Sequence, residues 1–261
     1  MKSNLFLLAA ACLLVACSAN KTKTDEKGVN AEAITLQDST ELYTLTASYP
    51  VSDLDTAKKM EEFVNYVVSD QKEAWKAGGE IYNAEMEMRK KYTERSNLRY
   101  AFAMNYKEFK SAKHKTKSYM FNTYKFEGGA NGPTTVNTFT FGDNKRPREI
   151  TDLLNIDNKN AIMLSNVLAE KALKEIPSLD KELLYNGLGL SFLKGDGVTL
   201  DKEKCNCDGY FFGSNLQNFV VKDSTLNFYF NQGQIAPRSF GIVEIALDWD
   251  SLKPYLVPNA F

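Results

Sequence analysis

Histidine is almost missing from this chain of 261 residues: the one imidazole is His114, set between Lys113 and Lys115. A Ser-His-Asp triad or a His-rich metal site needs a histidine with an orienting partner and some burial. His114 in a basic turn is expected to be a solvated surface residue. Cysteine is scarce too, with only Cys12, Cys17, Cys205 and Cys207. Charge of one sign is lacking: 32 Lys+Arg face 33 Asp+Glu, so no field argues for a nucleic-acid partner. Nucleophile-elbow, Walker, dinucleotide-binding and zinc-protease signatures are absent. Asp196, Asp201 and Glu203 lack the oxygen spacing of a calcium loop and read as a solvated turn. No cofactor and no metal are expected.

What is present begins at the N-terminus. Met1-Lys2 is a short positive region, and residues 5–15 are an apolar run too short to span a membrane. Leu14-Val15-Ala16-Cys17 follows and matches the lipobox of bacterial lipoproteins. Small residues before the cysteine suit signal-peptidase cleavage, and the Cys17 thiol takes the diacylglycerol. Several acyl chains of the palmitate class on Cys17 would anchor the chain stably. After Cys17 no stretch approaches 18 apolar residues. Removing residues 1–16 deletes only Lys2, leaving 31 minus 33, or −2. Residues 1–16 are thus expected to be a signal peptide. Residues 17–33, small, polar and without apolar period, are expected to be a flexible tether. The remaining cysteines form Cys205-x-Cys207. A local disulfide or idle thiols, an intermolecular or redox role, and half of a metal site all stay open for them.

The centre of the remaining chain is SYMFNTYKFEGGANGPTTVNTFTF, residues 118–141. Aromatic and β-branched residues fill two flanks that suit strands, and three glycines, an Asn and a Pro mark the turn between them. The pattern predicts a long antiparallel pair with Tyr119, Phe121 and Thr123 on one face and Met120, Asn122, Tyr124 and Phe126 on the other. Upstream, residues 42–49 alternate as a strand, and Ser52 opens a helix as its N-cap. Met60, Phe63, Val64, Val67, Val68 and Trp75 form that helix's apolar stripe, stopped by Gly78-Gly79. A more polar helix over 81–92 should turn Ile81, Met88 and Tyr92 inward, and residues 98–109 return to strand. Downstream come a turn at 142–145, a helix ended by Pro177, and a short helix closed by Gly187. Short strands follow at 209–212, 219–221, 225–230 and 241–247, then a final short helix. This order predicts an α+β fold, an antiparallel sheet with helices packed on it. Two closely packed halves are expected, residues 34–142 and 143–261.

Tyr124-Lys125-Phe126-Glu127-Gly128-Gly129-Ala130-Asn131-Gly132 resembles the Gly-Gly-Ala-His signature of a family of exported bacterial domains. Ile150-Thr151-Asp152-Leu153-Leu154 and Gln234-Ile235-Ala236-Pro237 are similar to later motifs of the same family. That family includes the region beside the peptidoglycan deacetylase PdaC and the extracellular part of the anti-sigma factor RsiV, a lysozyme receptor. PdaC's deacetylase chemistry lies in a separate domain with no counterpart here. The resemblance implies a binding site around Tyr124, Gly128, Gly129, Asn131, Gly132 and Gln234, and a lysozyme-like protein or peptidoglycan as partner. Where the family has His, this chain has Asn131, and its Tyr-Glu pair appears as Gly233-Gln234. Losing those ionisable groups speaks against acid–base catalysis and for non-catalytic binding in the cell envelope. A carboxylate-dependent hydrolase on envelope glycans and a structural lipoprotein with a vestigial site are the alternatives.

Overall fold

The computed structural model describes residues 33–51, 54–204 and 212–261. The leader, Cys17, tether residues 17–32, the Ser52 cap, Cys205, Cys207 and the expected strand residues 209–211 lie outside the described residues.

Six strands form one sheet: β1 (Ala33–Ser39), β2 (Tyr43–Pro50), β3 (Tyr100–Ser111), β4 (Thr116–Phe126), β5 (Thr134–Phe141) and β6 (Pro147–Arg148), in that spatial order. Neighbours run antiparallel except β2 and β3, which are parallel. A parallel pair needs a long crossover, and here two helices supply it: α1 (Leu54–Ala74) and α2 (Glu80–Lys91). A smaller antiparallel sheet contains β7 (Phe219–Val221), β8 (Thr225–Phe230) and β9 (Val243–Asp248). The remaining helices are α3 (Asn158–Glu175), α4 (Lys181–Gly187) and α5 (Trp249–Leu252). The architecture is α+β, a predominantly antiparallel sheet with helices packed against it.

Three apolar clusters hold the layers together. Met60, Val64 and Val68 of α1, with Trp75 just after it, meet Leu45, Phe102, Met104, Tyr119 and Phe121 on one face of the large sheet. Burying each such side chain stabilises the fold by about 1.5–3 kcal/mol. Met120 and Val136 point to the opposite face, where Phe109, Val220 and Tyr229 meet them. The third and largest cluster joins Phe219, Phe228, Ile245 and Leu247 of the small sheet to Leu164, Leu168 and Ala172 of α3. Strand β4 is thus buried on both faces over its middle, where Tyr119, Met120 and Phe121 run consecutively.

The free side of β5 is covered by side-chain amides. Thr134 N–H donates to Gln232 Oε1 at 2.7 Å, Val136 N–H to Asn231 Oδ1 at 2.8 Å, and Thr138 N–H to Asn218 Oδ1 at 3.2 Å. Alternate β5 amides point away from β4, and three amide acceptors satisfy them where a further strand would otherwise dock.

Several expectations change. Met88 and Tyr92 of the second helix are 40% and 38% exposed, because Glu85, one turn after Ile81, takes the inward position. Strand β1 went unread, since most of its side chains face solvent on an outer strand and leave little apolar alternation. Residues Thr93–Asn97 form a 3₁₀ turn, so β3 starts two residues later than expected. Phe212 opens a 3₁₀ turn rather than closing a strand. His114 is half-buried rather than solvated. Its ring lies 4.5 Å from Trp249 and 4.0 Å from Phe261, and Nε2 is 3.3 Å from the Asp223 carbonyl. Burial holds its pKa below the usual imidazole value. The flanking lysines concealed this, because the rings that cover it come from more than 130 residues downstream.

The amide cover on β5 makes a direct prediction. Asn231→Ala should destabilise the protein by about 1–3 kcal/mol by leaving the buried Val136 N–H without an acceptor. Asn231→Asp, which retains an acceptor oxygen, should lose less. Urea unfolding monitored by circular dichroism distinguishes the two, and equal losses would contradict the role assigned to this acceptor.

Candidate functional site

The loop that leaves β4 is held by its backbone. Lys125 N–H donates to Pro133 O at 3.1 Å and closes residues 127–132 into a loop. Gly128 and Gly129 have φ of +96° and +92°, a region that side chains with a Cβ rarely adopt. Gly132 is required for another reason: a Cβ there would lie 2.0 Å from the Lys125 carbonyl oxygen. The Tyr124 hydroxyl accepts from Gly132 N–H at 3.4 Å. Gly129, Ala130 and Asn131 at the apex are exposed, and among the described residues the Asn131 amide makes no hydrogen bond.

Beneath the loop lies a polar cluster. Glu127 accepts the indole N–H of Trp75 at 2.7 Å and pairs with Lys125 at 3.1 Å. Trp75, itself 1% exposed, packs its ring 5.3 Å from Tyr43 and 5.6 Å from Tyr100. Gly128 passes so close to Arg95 that an added Cβ would stand 3.4 Å from its guanidinium. That guanidinium donates to Glu85 Oε2 at 2.6 Å, Arg89 Nε donates to Oε1 at 3.3 Å, and the Tyr100 hydroxyl donates to Oε2 at 3.2 Å. Arg89 also donates to the Leu98 carbonyl at 2.6 Å, fastening α2 to the start of β3.

Glu85 is 2% exposed. Burial pushes its carboxyl up, but hydrogen bonds from Arg95 and Arg89 outweigh it, and the net pKa falls below the usual carboxylate value. Burial, reinforced by the Glu85 charge, pushes the Tyr100 phenol up to about 12. At neutral pH the cluster is therefore a permanently ionised carboxylate clamped by two guanidiniums and a neutral phenol. A group so fixed is a poor general acid. What the arrangement can do is fasten α2 and the 3₁₀ turn to the start of β3, with Gly128 lying beside Arg95.

Tyr124, Gly128, Gly129, Asn131 and Gly132 share this one loop and the strand entering it. Gln234 lies apart in role. Its Oε1 accepts from Asn231 N–H at 3.0 Å and its Nε2 donates to Gly187 O at 3.5 Å, so it shapes its own turn. That turn still reaches the loop's exit, where Gln232 N–H donates to Thr134 O at 3.2 Å. The two sequence motifs thus meet through Gln232. Sequence reading missed Trp75 as a hydrogen-bond donor and missed Glu85, Arg89, Arg95, Tyr100 and Glu127. One signal was available: Glu85 stands four residues after Ile81, on the helix face expected to be apolar.

Residues 152–250 match the family described as a protein of unknown function, DUF3298. Over 240 residues, 91% of this chain, the sequence is 25% identical to peptidoglycan-N-acetylmuramic acid deacetylase PdaC of Bacillus subtilis. The match covers 44% of that protein, so this chain spans less than half the length of its curated relative. A DUF3298-family crystal structure from Pseudomonas aeruginosa superimposes with a TM-score of 0.52 at 12% identity, covering 90% of this chain and 98% of the other. A family member from Bacteroides fragilis gives a TM-score of 0.48 at 18% identity, covering 90% and 96%. The Pseudomonas structure shares the fold. The segment matched to the family carries α3 and the small sheet, while loop 127–132 precedes it.

Glu85→Ala should cost about 3–5 kcal/mol, because it leaves two guanidiniums without their buried counter-charge. The wild-type clamp also sets an acid limb. A carboxyl whose folded pKa is depressed contributes its full stability above the unfolded value near 4.5, and loses it as pH falls through the folded value. Urea midpoints measured between neutral pH and pH 3 should therefore decline more steeply for wild type than for Glu85→Gln. Parallel curves would show that Glu85 is not the responsible group.

Proposed function

We propose that this protein is a lipid-anchored, non-catalytic domain of the cell envelope that binds a cell-wall-related partner, a lysozyme-like protein or a glycan, through loop 127–132. The observation that carries the reading is the loop itself: an exposed Gly-Ala-Asn apex closed at its base by the Lys125–Pro133 backbone hydrogen bond, with Glu127 held by Trp75 and Gly128 beside Arg95. A loop already rigid pays little ordering entropy when a partner docks. The Leu14-Val15-Ala16-Cys17 sequence supports the anchor, with Cys17 carrying acyl chains of the palmitate class. Similarity to a deacetylase named for peptidoglycan supports the envelope setting, and the motif resemblance to the lysozyme-binding part of RsiV supports the kind of partner. Asn131 in place of histidine, and Glu85 committed to two arginines, favour binding over turnover.

A loop of six residues buries a small interface, so affinity in the micromolar range is expected. Calorimetric titration of the Cys17→Ser chain with lysozyme, then with soluble peptidoglycan fragments, tests the reading. Saturable heat with one of them should vanish in Asn131→Arg, which places a bulky charge on an exposed apex residue and leaves the fold intact. No saturation with either at high micromolar concentration would remove the proposal and leave the loop a structural feature. Incorporation of labelled palmitate into the full chain, lost in Cys17→Ser, tests the anchor separately.

A further inference from the structure

The two sides of the large sheet end differently. Side-chain amides take the outward N–H groups of β5, but among the described residues nothing pairs with the outer side of β1. Thr40 N–H donates to Tyr43 O at 2.9 Å just past the strand, and this fixes the alternation. Residues 34, 36 and 38 turn their backbone groups toward β2, and Ala33, Thr35, Gln37 and Ser39 turn theirs outward. The Ser39 N–H is taken by Asp38 Oδ1 at 2.8 Å, so the open run of outward groups ends at Gln37.

Open edges are ordinarily blocked by a lysine, a proline, a bulge or a covering segment. Strand β1 reads Ala-Ile-Thr-Leu-Gln-Asp-Ser, with no lysine or proline, and its register with β2 runs unbroken. Its one charge, Asp38, is held on the α1 side of the sheet by Lys72 at 2.5 Å and the Tyr43 hydroxyl at 3.1 Å. Ile34 and Leu36 share that side; Ile34 is 40% exposed and Leu36 is only partly covered. The strand is self-complementary about Thr35. Two antiparallel copies with Thr35 opposite Thr35 place each Ile34 against the other copy's Leu36, and each Ala33 against Gln37. Every outward backbone group from Ala33 to Gln37 then meets another outward group, and Asp38 stays outside the pair. A shift to Leu36 opposite Leu36 would set Ile34 against Asp38 instead.

We propose that β1 is a dimerisation edge, through which a second copy of this chain pairs antiparallel about Thr35 and joins two six-stranded sheets into one. The paired segment is short, so the dissociation constant in solution is on the order of 100 μM. The chain ahead of β1 suits two copies on one membrane. In this register the two Ala33 residues stand about 13 Å apart, and residues 17–32 before each have a contour length of about 53 Å. Confinement of both copies to one surface raises their effective concentration to about the millimolar range, above that dissociation constant. The confinement rests on the anchor proposed at Cys17; the pairing edge does not, and it is independent of loop 127–132.

Thr35→Pro tests the edge and spares the β1–β2 ladder, because the N–H that proline lacks points outward, where edge strands tolerate proline. Ile34→Lys is the side-chain counterpart and sets a cation against Leu36 of the second copy. Sedimentation equilibrium of the full chain in density-matched detergent, from about 1 to 500 μM, should show a reversible monomer–dimer equilibrium. Each variant should weaken it at least about tenfold, while Val198→Ser, at an exposed apolar residue on a separate turn, leaves it unchanged. Thr35→Cys brings two thiols together across a pair whose Cα atoms lie about 5.5 Å apart. Mild oxidation should therefore link that variant into a dimer beyond the wild-type background, in detergent and on vesicles, and should not link Ser39→Cys. A chain still monomeric at the highest concentration would overturn the proposal and leave the edge to an extended segment of another protein. A dimer that both Thr35→Pro and Ile34→Lys leave intact would overturn it by placing the contact elsewhere. Cross-linking through Ser39→Cys in place of Thr35→Cys would overturn the register.

Discussion

Burying a carboxylate costs several kcal/mol unless its charge and lone pairs are met, and Glu85 meets that condition through three donors from different parts of the chain. Arg89 comes from its own helix, Arg95 from the 3₁₀ turn, and Tyr100 from the first residue of β3. Satisfying one carboxylate therefore fixes how α2 leaves the crossover and how the chain enters the sheet. Arg95 then sets the floor on which Gly128 rests. The shape of the exposed loop is set by its own backbone, through the Lys125–Pro133 hydrogen bond, the positive φ of Gly128 and Gly129 and the close approach at Gly132.

The large sheet depends on the same kind of polar satisfaction at its other side. Strand β5 lends only two residues to pairing with β6, and its outward amides would otherwise invite another strand. Asn218, Asn231 and Gln232 supply the acceptors, and they come from the small sheet's connections. Cross-layer hydrogen bonds thus accompany the apolar contact of Met120 and Val136 with Val220 and Tyr229. Strand β4, buried on both faces over its middle, runs into the glycine loop at one end. Chemistry concentrates at the strand ends, where backbone turns leave side chains free to face solvent.

Residues 152–250 match DUF3298 and the Pseudomonas structure shares the fold, while loop 127–132 lies outside the matched segment. Gly128 and Gly129 are constrained by their positive φ, and Gly132 by its close approach to the Lys125 carbonyl of β4. Asn131 meets no such constraint and differs from the histidine of the resembling motif. Substitution of Asn131 is therefore expected to cost the fold little.

The residues by themselves determined the α+β class, the 118–141 strand pair, the α1 stripe through Met60, Val64, Val68 and Trp75, and the glycine loop. Each rests on local periodicity or on a backbone preference written within a few residues. The tertiary structure alone decided three things. It turned Glu85 inward and Met88 outward, because the arginines that neutralise a buried acid are recognisable only once α2 lies against β3. It made β2 and β3 parallel neighbours, since a helical crossover and a return hairpin look alike in sequence until the strands pair. And it half-buried His114 beneath Trp249 and Phe261, because long-range packing sets the surroundings of an ionisable group and leaves no mark on its neighbours in the chain.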